Sequence, residues 1–167
     1  RRRHRRRSVS RDGSRRLVAG RPDEPRWLLQ RHPAADDADG APAVVLLHHY
    51  GADRSWLFNL GGKINEATNF TILWPDLRGH GLVPPVQWTS FGTVEGDDVL
   101  AALDFLRAQK SLNGNPLVGD HVGLVGVEMG AYAALRAAAQ DKGVIVLALD
   151  SVPRTPNELV QTTVTSD

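Results

Sequence analysis

The sequence predicts an α/β domain built on a mostly parallel, doubly wound sheet, and three observations carry that expectation. From Ala43 onward, apolar runs of five or six residues alternate with helix-compatible stretches. Those runs lack the polar alternation of a half-solvated strand, as expected where helices cover both faces of a parallel sheet. Glycine, aspartate and proline bound them, which fits strand ends better than a buried helical bundle.

The chain opens on RRRHRRRSVSRDGSRR, in which residues 1–16 carry nine arginines and one aspartate. The other residues carry 11 Lys and Arg against 18 Asp and Glu, so the formal net charge of +1 describes neither part. So basic and so poorly apolar a stretch repels itself and cannot offset the entropy of folding. Residues 1–25 therefore read as a basic disordered arm and residues 26–167 as the folded domain. The arm admits three readings: a solvated tail, a weak nonspecific contact with anions or nucleic acid through phosphate neutralisation, or a targeting remnant.

Within the domain, RWLLQR at 26–31 reads as an extended segment, and PAADDADGAP at 33–42 has the acids, Gly and Pro of turns. Then come a strand at 43–47 (AVVLL), a helical stretch at 54–68, and a strand at 70–74 (FTILW). A helix at 93–110 follows, with Val99, Leu103 and Leu106 on one stripe. A strand at 122–127 (VGLVGV), an alanine-rich helix at 129–140, a strand at 144–149 (VIVLAL) and a helix beginning near Pro156 complete the pattern. Asp150, at the end of the last strand, is expected to cap that helix or shape its loop rather than to bind a cation.

With 41% hydrophobic residues in 167, one soluble domain of modest size is expected. No cysteine is present, which excludes disulfides, thiolate zinc sites and a cysteine nucleophile. The longest apolar run is six residues, against the roughly 18 to 20 that span a bilayer, so no membrane span is expected. The apolar stretch after Arg16 is too short for a secretory signal, which leaves a cytoplasmic location as the expectation.

In open α/β sheets ligands sit at the carboxyl ends of the strands. Three such ends stand out: LLHHYGADRSW at 46–56, WPDLRGHG at 74–81 and GVEMGA at 126–131. Together, in this order and spacing, they resemble the α/β-hydrolase family, in which successive strands end in His-Gly-x-Gly, in Asp-x-Arg-Gly-His-Gly and in a Gly-x-Ser-x-Gly turn. The resemblance covers roughly residues 26–160. It implies a nucleophile elbow at position 128, with a strained strand-to-helix turn that needs glycine on either side. It also implies an oxyanion hole formed by the backbone N–H groups of Tyr50 and Met129. His48 takes the place of the motif histidine, and His49 stands where the family pattern has glycine.

The elbow residue here is Glu128, so acyl transfer through a serine ester cannot occur at that position. Three roles stay open for this carboxylate: a relic, a nucleophile like the aspartate of haloalkane dehalogenases and epoxide hydrolases, or a binding or regulatory group. The family's histidine follows the nucleophile in sequence, yet none follows His121 here. His48 and His49 point opposite ways on a strand end, while His80 is placed to approach His48. With no cysteine, no HExxH helix and no glycine-rich phosphate loop, neither a metal nor a cofactor is expected.

By the same resemblance the fold is truncated after about its sixth strand, leaving an apolar sheet edge at VIVLAL. A missing C-terminal part or a partner chain is expected to cover it, the chain being a fragment or a decayed paralogue. Three function classes remain: a hydrolase related to ester, lactone or thioester hydrolases; a non-catalytic relative binding a small molecule or a protein; and an anion-binding protein acting through the arm.

Overall fold

A computed structural model of the chain describes residues 8–9, 15–19, 27–31, 40–82, 84, 86–111 and 113–164. Among these residues seven strands form one sheet: β1 (Ser8–Val9), β2 (Arg15–Ala19), β3 (Trp27–Gln30), β4 (Ala41–Leu47), β5 (Thr71–Pro75), β6 (Val118–Val127) and β7 (Val144–Asp150). Four α-helices accompany them: α1 (Phe58–Ala67), entered through a 3-10 turn at Arg54–Leu57, then α2 (Glu95–Arg107), α3 (Met129–Ala138) and α4 (Pro156–Val164).

The sheet order is β1-β2-β3-β5-β4-β6-β7. β1, β2 and β3 run antiparallel to their neighbours, and β5, β4, β6 and β7 are parallel to one another. The mostly parallel α/β layout expected from the apolar runs is therefore present.

One expectation is corrected. Residues 15–19, read as part of a disordered arm, form β2, which pairs with β3 from Arg16 opposite Gln30 to Ala19 opposite Trp27. Charge dominated the reading of that stretch, but Leu17, Val18 and Ala19 are a strand-forming triplet with the edge of β3 available to pair. Most of the remaining residues of the arm lie outside the described residues.

Two apolar layers sandwich the central strands. On one side Val45, Leu47, Leu73, Leu124, Val99, Leu103, Leu106 and Met129 form a core that α2 and α3 close, joined by Leu159 of α4. On the other, Val44, Leu46, Ile72 and Trp74 pack under Leu57 and Ile64. Helix α1 lies close to the sheet because Gly61 has no side chain: a Cβ there would sit 2.2 Å from the Trp74 ring and 2.7 Å from Leu46. Trp74 donates its indole N–H to the Leu57 carbonyl at 3.1 Å, so the same ring also fixes the 3-10 turn.

β7 forms the far edge. Val144 and Leu149 pack against the core, but Ile145 at 60% and Val146 at 56% are open to solvent, the exposed apolar edge that the sequence predicts. Asp150 does not cap α4. Thr155 does, its hydroxyl accepting the Glu158 N–H, while the Asp150 carboxylate accepts from the Ser151 hydroxyl.

Candidate functional site

The ends of β4, β5 and β6 meet at one rim of the sheet, and two imidazoles stitch the first two together. His48 is fully buried; its Nδ1–H donates to the His49 carbonyl at 2.8 Å and its Nε2 accepts the Leu77 N–H at 3.1 Å. Burial pulls its pKa down from 6.5 to about 4, so the ring is neutral at pH 7, in the tautomer these bonds require. His80 repeats the arrangement, donating from Nδ1 to the Arg78 carbonyl at 2.8 Å and accepting the Gly51 N–H at 3.2 Å. The two rings lie 5.1 Å apart, as the sequence suggested. Each has already given its lone pair to a backbone N–H, and no cluster of three metal-ligating side chains occurs among the described residues.

The remaining polar residues of WPDLRGHG also hold backbone in place. Asp76 accepts the Arg54 N–H at 2.9 Å and pairs with its guanidinium at 3.2 Å. Arg78 forms a fork with Asp98 of α2, at 2.8 and 2.5 Å. These bonds fix the loop after β5 to the 3-10 turn on one side and to α2 on the other.

The turn from β6 into α3 carries the strained residue. Glu128 has φ 48° and ψ −109°, a conformation that costs a non-glycine residue on the order of 1–3 kcal/mol and persists only when the surroundings impose it. They do impose it. The Glu128 N–H donates to the Asp150 carbonyl at 2.9 Å and its carbonyl accepts the Tyr132 N–H at 3.0 Å. On either side, a Cβ on Gly126 would meet the Gly130 carbonyl oxygen at 2.6 Å, and one on Gly130 would meet the Leu47 and His48 carbonyl oxygens at 2.5 and 2.6 Å. The two glycines thus let α3 press directly against the end of β4.

That contact brings Glu128 to His49. The carboxylate Oε2 lies 4.0 Å from His49 Nδ1, with the Glu128 side chain 39% exposed. His49 donates from Nδ1 to the Tyr50 carbonyl at 2.6 Å and sits edge-on to Trp56 at 4.6 Å. The Tyr50 N–H has no protein acceptor among the described residues, and the Met129 N–H is the first of α3, where no carbonyl lies a turn behind it.

Two further features matter. No hydroxyl is hydrogen-bonded to an imidazole among the described residues, and His121, the last histidine in the chain, lies on the opposite rim beside Gly40 and Pro42. The strand-end contact between His49 and Glu128 escaped the sequence, which marked His49 only as bulk replacing glycine. The adjacent pair His48-His49 in the stretch HHYG was its one signal.

Comparison with solved structures places this architecture. An esterase of Pyrococcus furiosus, Pf2001, superposes with a TM-score of 0.60 at 21% identity, over 87% of this chain and 47% of its own. The alpha/beta hydrolase GrgF of a Penicillium species gives 0.59 at 20% identity, over 86% and 43%. The fold is that of the α/β hydrolases. A candidate epoxide hydrolase of Pseudomonas aeruginosa shares it too, with a TM-score of 0.56 at 16% identity over 82% and 41%. This chain spans less than half the length of these α/β hydrolases. No family model matches the sequence, and comparison with curated proteins finds no relative. No helix among the described residues is long and apolar enough to cross a membrane.

Proposed function

We propose that this chain is the elbow-bearing part of an α/β-hydrolase-type protein in which Glu128 has replaced the attacking hydroxyl, and that its strand-end rim binds a small ligand without turning over esters. The observation that carries this reading is the pairing at the elbow: a half-exposed carboxylate stands on the strained turn, and its imidazole neighbour His49 gives its Nδ1–H to the Tyr50 carbonyl. A carboxylate in that place carries no hydroxyl for an acyl chain, and fold alone does not supply a reaction. Glu128 then acts on a ligand's hydrogen-bond donors, while the N–H groups of Tyr50 and Met129 face its acceptor atoms.

The retained strain favours a second reading, in which Glu128 is itself a nucleophile toward an epoxide or carbon–halide bond. Its carboxylate oxygen would bond to the substrate carbon as the halide or alkoxide leaves, giving a glutamyl ester. Water deprotonated at His49 Nε2 would then add to the ester carbonyl, with the Tyr50 and Met129 N–H groups holding the oxyanion, and release the alcohol and the free carboxylate. One series of assays separates the readings: aryl-ester, epoxide and haloalkane turnover by the wild type, Glu128→Ala and Glu128→Ser. The binding reading expects no turnover above background in the wild type. Turnover that disappears in Glu128→Ala overturns it in favour of the carboxylate mechanism.

The exposed apolar edge of β7 supports a further element of the proposal, that additional polypeptide completes the sheet, from the remainder of such a fold or from a partner chain. The arginines of residues 1–16 contribute weak, nonspecific anion contacts. DNA retention that survives their deletion would refute that role.

A further inference from the structure

A cleft of about 430 Å³ opens between the loops that follow β4 and β5. Glu128 does not line it; Tyr50, Asp53, His80, Gln87 and Trp88 do. The volume falls in the range of small-molecule sites.

Its aromatic walls are held from behind. The Arg78 guanidinium lies 5.1 Å from the Trp88 ring centre, and Gly79 leaves room for the Trp88 carbonyl, which a Cβ would meet at 2.6 Å. The Trp88 residue is still 51% exposed. Tyr50 stacks on Phe91 at 4.9 Å, with 29° between the rings, and meets His80 edge-on at 5.6 Å.

The charge of the cleft is equally defined. Arg54 is committed to Asp76 and Arg78 to Asp98, and both His80 nitrogens are occupied by backbone groups. Asp53 has no cation within ion-pair distance among the described residues. Its Oδ1 accepts the Ser55 N–H at 2.8 Å and the Ser55 hydroxyl at 2.5 Å, and these bonds hold the carboxyl below the usual aspartate range. Oδ2 has no partner among the described residues. An anion entering the cleft would meet an ionised carboxylate, and a neutral apolar ring would leave that carboxylate unused.

We infer that this cleft binds a flat aromatic ring bearing an ammonium or amidinium group, with the ring against Trp88 and the cation on Asp53. Stacking and a charge-assisted hydrogen bond then act on the same molecule, and each alone is weak.

The test titrates phenethylammonium, 2-phenylethanol and 3-phenylpropanoate into the ¹⁵N-labelled chain and follows the four indole N–H signals, that of Trp88 being assigned with Trp88→Phe. Phenethylammonium is expected to shift the Trp88 signal and to bind at least about tenfold more tightly than the alcohol, with the carboxylate weaker still. Asp53→Asn, which preserves an N-cap side chain and hence the 3-10 turn, should bring ammonium and alcohol to within about twofold of each other while the Trp88 shift persists. Glu128→Gln should change neither affinity, because it lies outside this cleft. Equal affinity for the three probes, a cation preference that survives Asp53→Asn, or binding that depends on Glu128 would each overturn the inference.

Discussion

Glu128 Oε2 lies 4.0 Å from His49 Nδ1, although the two residues belong to different strand ends. The contact exists because Gly130 lets α3 approach the carbonyls of Leu47 and His48 more closely than any side chain would permit. The turn from β6 into α3 and the end of β4 are thus packed backbone against backbone.

Gly130→Ala tests this packing directly. Its methyl would stand 2.5 Å from the Leu47 carbonyl oxygen, a backbone atom that cannot swing aside. The substitution should cost about 1–3 kcal/mol in urea unfolding, in the range of overpacked cores. Gly62→Ala in α1 is the control: a Cβ there meets nothing within 4 Å, and helix propensity alone should stabilise the chain by about 1 kcal/mol.

Relieving the strain at Glu128 should help the fold. At φ 48° glycine has no Cβ penalty, so Glu128→Gly is expected to gain about 1 kcal/mol of unfolding free energy by denaturant titration. An unchanged or lowered value would mean that the carboxylate supplies stabilising contacts that offset the strain.

His48 makes stability depend on pH. Its folded pKa of about 4 lies below the ordinary 6.5, so in between the unfolded chain binds the extra proton. Stability should be fully present above pH 6.5 and fall as pH drops toward 4, by a total on the order of 3 kcal/mol. His49, His80 and Asp53 are the charged or titratable neighbours that act on this ring. Comparing urea unfolding of the wild type and His48→Asn at pH 7 and pH 5 isolates the effect. The variant should be less stable at both values and lose less between them.

Glu95 anchors the loop that leads into α2. Its fully buried carboxylate accepts the Thr89 hydroxyl at 2.6 Å, the Ser90 N–H at 2.8 Å, the Ser90 hydroxyl at 2.5 Å and the Gly92 N–H at 2.8 Å. Burial alone would raise its pKa, but these donors outweigh it and pull the value below the ordinary 4.5. Its stabilisation is therefore present above pH 4.5 and lost as pH falls through the lowered value. Glu95→Ala, which leaves these donors without their acceptor, should cost about 3 kcal/mol in thermal or urea unfolding at pH 7.

Much of this was legible in the chain because backbone rules leave marks in sequence. The apolar runs at 43–47, 122–127 and 144–149 mark parallel strands, and glycines two residues either side of Glu128 mark a turn that excludes side chains. Strand β2 was hidden by its arginines, because charge patterning says nothing about a neighbouring strand's open edge. The approach of His49 to Glu128, the Glu95 cradle and the cleft between Asp53 and Trp88 all depend on side chains meeting across separate loops. No single stretch of sequence records that. Thr155 rather than Asp150 caps α4 because the helix begins at Pro156, so the residue before the proline, not the end of the strand, is in position.

On the proposed reading, Glu128 stands on the strained turn after β6 without attacking a substrate. Intact-mass measurement of the chain after incubation with excess styrene oxide or 1-bromobutane tests it, with the Glu128-containing peptide sequenced afterwards. The predicted spectrum shows the unmodified mass alone. An ester on Glu128 that forms with substrate and disappears on chase into fresh buffer would contradict the account.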